Sequence, residues 1–216
     1  MTPEDLKHTA NRTLSHYESS AEAFWQGTKD HDVSQNIDAL LAHLDGQAPL
    51  DILDFGCGPG RDLHTFKSMG HRAVGLEGAE ALAEMARKHS ASEVWVQNFL
   101  ELDLPEQRFD GVFANAVLFH VPSVALPQVL AQLCATLKPK GVLFCSNPHG
   151  NDQEGWQGAR YGAYHSLASW RQFMQAAGFV EISHYYRPTG LPLAQQPWLA
   201  SVWRRENCSV TVDQTK

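Results

Sequence analysis

The run Ile52-Leu53-Asp54-Phe55-Gly56-Cys57-Gly58-Pro59-Gly60-Arg61-Asp62 constrains the chain more than any other stretch. A short, largely apolar strand opens into glycines at alternate positions, and helical residues follow. Such a turn brings bare backbone close to a ligand at a helix N-terminus. A dinucleotide-binding fingerprint would place its third glycine at position 61, where Arg61 stands, and a phosphate loop would need Gly-Lys-Ser/Thr, which is absent. The spacing 56, 58, 60 instead favours a ligand whose amino-acid part and ribose lie over the turn.

The rest of the chain is organised around that turn. From residue 51 onward, short apolar runs at 52–55, 72–76, 94–96, 110–114 and 141–146 alternate with amphipathic stretches. Leu63, Phe66 and Met69 mark one stretch, Leu82, Met85 and Ala86 a second, and Leu126, Val129, Leu130, Leu133 and Leu137 a third. Repeated β-α-β of this kind predicts an α/β fold with a mostly parallel open sheet and helices on both faces. Two more strands, at 179–186 and 198–203, are expected to pair antiparallel at the sheet edge, after a helix that Ser166 caps and Gly178 ends. Ahead of the sheet, Thr2-Pro3-Glu4-Asp5 reads as a helix start. After a break at Gly27, Asp32 and Gln35 resemble a capping box for a second helix carrying Ile37, Leu40, Leu41 and Leu44. The chain is therefore divided into a helical lid (1–46), a core (50–204) and a polar, frayed tail (205–216) within one domain.

Composition narrows the function. With 17 Lys+Arg against 24 Asp+Glu among 216 residues, the net charge of -7 repels a phosphate backbone and argues against a nucleic-acid partner. Cys57, Cys134, Cys145 and Cys208 are widely spaced with no CxxC pair, which suggests reduced thiols, no disulfide framework and no metal site. No signal-peptide pattern or apolar run long enough for a membrane span is present, so the expectation is a cytoplasmic protein without a membrane partner.

Open α/β sheets bind ligands at the carboxyl ends of their strands, and chemistry-bearing residues recur there. Glu77 ends the second strand, where one carboxylate meets two ribose hydroxyls. Asn98 and Phe99 end the third and offer a polar group and a ring for the edge and face of an adenine. Asn115 ends the fourth and leads into Ala116-Val117-Leu118-Phe119-His120-Val121-Pro122, long enough to reach over the sheet.

In this order, Leu53-Asp54-Phe55-Gly56-Cys57-Gly58-Pro59-Gly60, Glu77, Asn98-Phe99, Phe109-Asp110-Gly111-Val112-Phe113 and Leu137-Lys138-Pro139-Lys140-Gly141 resemble the motifs of the class I S-adenosylmethionine (SAM) dependent methyltransferases over about residues 50–186. The resemblance implies a Rossmann-like, seven-stranded sheet with an antiparallel last strand. It also implies SAM as cofactor, held by Asp54, Gly56, Cys57, Gly58, Gly60, Arg61, Glu77, Gly78, Asn98, Phe99 and Asn115, with Tyr17 either covering it or packing the first helix. Asn98 stands where the family more often has Asp, and Lys140 replaces a usual turn glycine. Trp25-Gln26-Gly27-Thr28-Lys29-Asp30-His31-Asp32-Val33-Ser34-Gln35-Asn36, with the aromatic C-terminal third, further resembles small bacterial methyltransferases of thiohistidine (ovothiol) metabolism, whose acceptor is an imidazole nitrogen.

Methyl transfer from a sulfonium is an in-line displacement that mainly needs alignment and exclusion of water. His120 is the first candidate catalytic residue, as a proton acceptor or as a ring packed on the cofactor. Asn115 holds the acceptor or caps its strand, and Asp32 binds substrate or caps a helix. Trp25, His31, Asp32 and Asn36 belong to the expected lid. The aromatic insertion after residue 146 offers Arg160, Tyr161 and Tyr164, to pair with an acceptor's carboxylate and orient its nitrogen or to staple the loop. Tyr186 and Arg187 close the set, with the reservation that Tyr185, Tyr186 and Arg187 alternate along a strand, so that at most two face one pocket. The expected partner is a small polar methyl acceptor, the protein being a monomer or homodimer. A tRNA or protein methyltransferase, or a SAM-binding regulator without catalysis, are the alternatives.

Overall fold

A computed structural model describes residues 1–206. Two helices, α1 (Pro3–Thr28) and α2 (Ser34–Leu41), precede the sheet. Then follow β1 (Asp51–Phe55), α3 (Arg61–Ser68), β2 (Arg72–Glu77), α4 (Glu80–Ser90), β3 (Val94–Val96) and β4 (Phe109–Asn115). A 3-10 turn (Leu118–His120) leads to α5 (Leu126–Thr136) and β5 (Leu137–Pro148). The strands β6 (Gln153–Gln157) and β7 (Arg160–Tyr164), α6 (Leu167–Ala176), β8 (Phe179–Arg187) and β9 (Trp198–Arg205) complete the described part.

The main sheet has seven strands in the order β3-β2-β1-β4-β5-β9-β8. The pairs from β3 to β5 are parallel, and β9 runs antiparallel to both β5 and β8. The reversed strand β9 thus sits inside the edge strand β8, and the expected antiparallel pairing of 179–186 with 198–203 is present. Side-chain alternation divides the core between the two faces. Leu53 and Phe55, Val112 and Ala114, and Leu143 and Cys145 pack into one cluster with α5 and α6. Ile52, Phe113, Phe144 and Val202 pack into the other with Ile37 and Leu40 of α2 and Phe66 of α3.

Several local expectations are corrected. Gly27 does not break α1, which runs on to Thr28; its start is the expected capping box, with Thr2 and Asp5 each accepting the other's backbone N–H. Asp32 forms no box with Gln35: it accepts from Ser34 N at 2.9 Å, a turn two residues long that precedes the N-cap Val33. Leu137 opens β5 rather than closing α5, and Met69 is the exposed cap of α3. The insertion after residue 146 is not an irregular loop, because β6 and β7 pair as an antiparallel hairpin. Lys140 adopts φ 65°, the left-handed backbone that a turn glycine would take. Cys57 and Cys145 are buried free thiols, whereas Cys134 is disulfide-bonded, against the expectation of reduced cysteines. The frayed tail is corrected at Arg205, which still pairs with Phe179; residues 207–216, Cys208 among them, lie outside the described residues. No helix among the described residues is long and apolar enough to cross a membrane.

Candidate active site

A cavity of about 640 Å³ opens over the carboxyl ends of β1, β2 and β4, within the size range of small-molecule sites. Its floor is the glycine turn. Gly56 takes φ 71° under Val117, whose Cγ2 would lie 2.3 Å from an added Cβ, so no side chain fits there. Gly58 (φ 52°) faces Phe24 across more room, 3.5 Å from an added Cβ.

Glu77 locks this turn from the next strand. Its Oε2 accepts from Gly58 N at 2.9 Å, and its Oε1 accepts from Gly78 N at 2.8 Å and Ala79 N at 3.0 Å. Burial raises its carboxyl above the ordinary range, and these backbone donors work against that rise. Asp54 lies beneath the turn, 2% exposed, with Oδ2 unpartnered. Burial first, and then the neighbouring Asp62 charge, push its carboxyl well above the usual value. Asn98 and Phe99 line the same end; Asn98 Oδ1 accepts from Leu100 N at 3.0 Å, and Phe99 packs on Phe55 with ring centres 4.5 Å apart.

A second wall is built around Asn115. Its Oδ1 accepts from Asn36 Nδ2 at 3.0 Å, and its Nδ2 donates to Asp62 Oδ2 at 3.3 Å. Asp62 is held in turn by the fork of Arg61, at 2.7 and 3.0 Å, and Arg61 also donates to Thr28 O at 2.7 Å. At the other end Tyr185 Oη donates to Asn36 Oδ1 at 2.9 Å. Burial pushes the Tyr185 phenol up to about 12.

The third wall joins the lid to the 3-10 turn and the hairpin. His120 Nδ1 lies 2.7 Å from Tyr161 O, and its Nε2 lies 2.8 Å from Tyr17 Oη. Burial brings His120 down to about 4, so the ring is neutral near neutral pH. Arg160 Nη1 points to Tyr17 Oη at 3.4 Å. The hairpin is tied to α1 by Arg12, which lies 4.0 Å over the Trp156 ring and donates to Gly158 O at 3.1 Å. Thr13 Oγ1 accepts from Tyr161 N at 3.2 Å.

The cavity thus brings together sixteen of the expected residues: Gly56, Cys57, Gly58, Arg61, Glu77, Asn98, Phe99, Asn115, His120, Tyr17, Trp25, His31, Asp32, Asn36, Arg160 and Arg187. Six others stand outside its lining. Asp54 is under the turn. Gly60 makes room for α4, an added Cβ meeting Ala86 Cα at 2.6 Å, and Gly78 makes room for Leu14 at 2.5 Å. Tyr161 contributes its carbonyl, while its ring packs edge-on to Trp156. Tyr164 folds its hydroxyl over Gly162 of its own hairpin. Tyr186 packs on His149 instead, because alternation along β8 gives Tyr185 and Arg187 one side and Tyr186 the other.

Sequence reasoning missed Asp62 and Trp198, which line the cavity, and Tyr185, which reaches its wall; Phe24 and Phe119, also in the lining, were expected only as parts of the lid and of the loop after β4. Asp62 reads locally as an acid matched to the N-terminus of α3. The aromatics carry no spacing signal, since they come from unrelated elements.

Residues 25–185 match the profile of a family described as a methyltransferase domain. Curated trans-aconitate 2-methyltransferases are related in sequence. That of Yersinia pseudotuberculosis serotype O:1b (strain IP 31758) is 30% identical over 155 residues, which cover 68% of this chain and 58% of that protein. That of Acidovorax sp. (strain JS42) is 33% identical over 156 residues with the same coverage of each. The chain therefore spans less than two thirds of the length of these relatives. Among solved structures, 1,6-didemethyltoxoflavin-N1-methyltransferase of Burkholderia thailandensis, with bound 1,6-didemethyltoxoflavin and S-adenosylhomocysteine, shares the fold. Its TM-score is 0.77 at 24% identity, over 94% of this chain and 91% of that one. A DhpI–SAH complex gives a TM-score of 0.71 at 18% identity, over 91% and 97%.

Proposed function

We propose a function that proceeds from one premise: the chain belongs to the methyltransferase-domain family, whose members use SAM. The reading is that this protein transfers the methyl group of SAM to a small polar metabolite. The observation that carries it is the single cavity joining the Glu77–Gly58 floor to the Tyr17, His120 and Arg160 wall. It has space for a nucleoside beside a second small molecule. A chain of net charge -7 repels a nucleic acid, which favours a small acceptor.

The residues fit the cofactor. Glu77 presents a buried carboxylate to a ribose, Gly58 leaves the floor bare, and Asn98 and Phe99 flank the adenine end. When bound, SAM supplies a methyl group already activated by its sulfonium. The protein's share is then alignment and the exclusion of water. Tyr17, Phe24 and Trp25 of α1 roof the cavity, and Arg160 brings the hairpin to its rim. Both ring nitrogens of His120 are engaged, which supports a holding role for it over that of a free base.

Arg160 and Arg187 line the cavity from opposite covers and suit an acceptor that carries a carboxylate. A nitrogen nucleophile is favoured, and the imidazole of histidine or 5-thiohistidine is the first to be tried, on the likeness of residues 25–36 noted above. The test is calorimetry with SAM and S-adenosylhomocysteine (SAH), followed by a methylation screen over histidine, 5-thiohistidine, small amines, thiols and trans-aconitate. Failure to bind SAM or SAH would end this reading, and turnover of a carboxylate alone would end the nitrogen assignment.

A further inference from the structure

We propose that Tyr17 selects the methyl acceptor by taking a hydrogen bond from it, so that the acceptor must present a donor at this wall, an N–H for the nitrogen nucleophile favoured above. The inference rests on the methyl-transfer reading and deepens it.

The argument is one of hydrogen-bond polarity. A carbonyl oxygen only accepts, so the 2.7 Å contact of His120 Nδ1 with Tyr161 O fixes the imidazole proton on Nδ1. The ring is buried and neutral, which leaves a lone pair on Nε2. The Tyr17 hydroxyl, 2.8 Å from Nε2, therefore spends its only proton on His120. What its oxygen has left toward the cavity is acceptor capacity. Arg160 Nη1 uses little of it at 3.4 Å, near the limit of a hydrogen bond.

Phe24 packs edge-on to the Tyr17 ring at 5.3 Å, and Leu14 and Val117 line the same cavity without a side-chain polar group. A bare ring nitrogen brought to this oxygen would meet lone pair with lone pair. An amine or the N–H of an imidazole would complete the set. In the transfer, the acceptor's nitrogen lone pair forms the new N–C bond while the C–S bond breaks, and that bond's electron pair stays on sulfur. The N–H proton stays on the methylated cation and passes to water on release, so Tyr17 holds the acceptor and takes no proton.

Two measurements test this. Long-range proton–nitrogen NMR on the whole protein reads the His120 tautomer directly. Protonated Nδ1 with a bare Nε2 is expected, and a proton on Nε2 overturns the inference even if the variant below does not fold. With SAH bound, imidazole and 1-methylimidazole are then titrated into the wild type and Tyr17→Phe. Imidazole should bind the wild type about tenfold more tightly than its N-methylated twin, and Tyr17→Phe should erase the difference. Equal binding of the two probes, no binding of either, or a preference that survives in Tyr17→Phe would overturn the inference. Absence of SAH binding would instead sink the methyl-transfer reading beneath it.

Discussion

Replacing Glu77 with alanine separates what this residue does for the fold from what it does for the cofactor. Its carboxylate accepts from the backbone N–H groups of Gly58, Gly78 and Ala79. A hydrogen bond to a charged group contributes about 1.5–3 kcal/mol net, but burying the carboxylate offsets part of the sum, and its raised pKa records that cost. In Glu77→Ala the Gly58 N–H can be rehydrated from the cavity, whereas the Ala79 N–H belongs to a residue 2% exposed. One buried donor without a partner costs about 1–3 kcal/mol, which is the expected loss of stability. At about 2–4 °C per kcal/mol for a chain of this size, Tm should fall by roughly 2–12 °C.

The proposed ribose contact is a separate loss. SAH affinity should drop by about 1–3 kcal/mol, roughly 5- to 150-fold. Glu77→Gln sharpens the test, because one oxygen remains and its lower-energy placement keeps the pair formed with Gly78 and Ala79. Its Tm should fall less than that of the alanine variant. Differential scanning fluorimetry and calorimetry with SAH read both quantities. A folded Glu77→Ala variant with wild-type SAH affinity would refute the ribose role, and equal Tm losses in the two variants would refute the partition of its hydrogen bonds.

Gly56→Ala should lose roughly 3 kcal/mol or more in urea unfolding, since its Cβ would fall 2.3 Å from Val117 Cγ2 at φ 71°. Gly58→Ala should cost only about 1–2 kcal/mol for its positive φ yet weaken SAH binding, because its Cβ has room in the cavity floor; equal behaviour of the two in both assays would refute the assignment. His120, lowered from 6.5 to about 4, stays neutral in the folded protein while the unfolded chain takes up a proton. Its contribution is full above pH 6.5 and is lost as pH falls toward 4, by up to about 3 kcal/mol. The slope of unfolding free energy across that window should flatten in His120→Gln, and an unchanged slope would contradict the buried neutral ring. Asp54 has the opposite sign: its raised pKa means that stability is lost as pH rises through it, so Asp54→Asn should stabilise the ligand-free protein at pH 8 and do so less toward pH 4. Chemical denaturation at the two pH values decides it.

The sheet was legible because each strand is a buried run bounded by glycine, proline or charge, as at Ile52 to Phe55, and because such a run has no other way to hide both faces. The hairpin was not. Gln153-Glu154-Gly155-Trp156-Gln157 has no buried residue, so its strand character comes from pairing with β7 rather than from its own pattern. The persistence of α1 through Gly27 is likewise tertiary: Trp25 packs on His89 of α4 with ring centres 4.4 Å apart, and Arg61 donates to Thr28 O, which hold the last turn in place. On the site, the cavity floor at 56–58, 77, 98, 99 and 115 was readable because its residues follow strand ends in chain order. The Tyr17–His120 and Asn36–Tyr185 contacts join residues 103 and 149 positions apart, and no local spacing encodes them.

This difference in legibility matches a difference in hydrogen-bond saturation. Along the Asn115 wall nearly every group is occupied: Asn36 gives to Asn115, Asn115 gives to Asp62, and Asp62 is filled by the Arg61 fork. A ligand approaching that wall meets a network that would have to be broken before it could bond, at about 1–3 kcal/mol for each buried group left unpaired. At the Tyr17 wall one acceptor is left over, and the cation of Arg160 stands beside it. Selection between similar small molecules is strongest where a site holds an unmet polar group, because the wrong partner then leaves that group buried and unpaired. On the proposed reading, discrimination among acceptors falls to α1 and the hairpin, the elements that the chain lays over the sheet, while the strand ends beneath them serve the part of the ligand that does not vary.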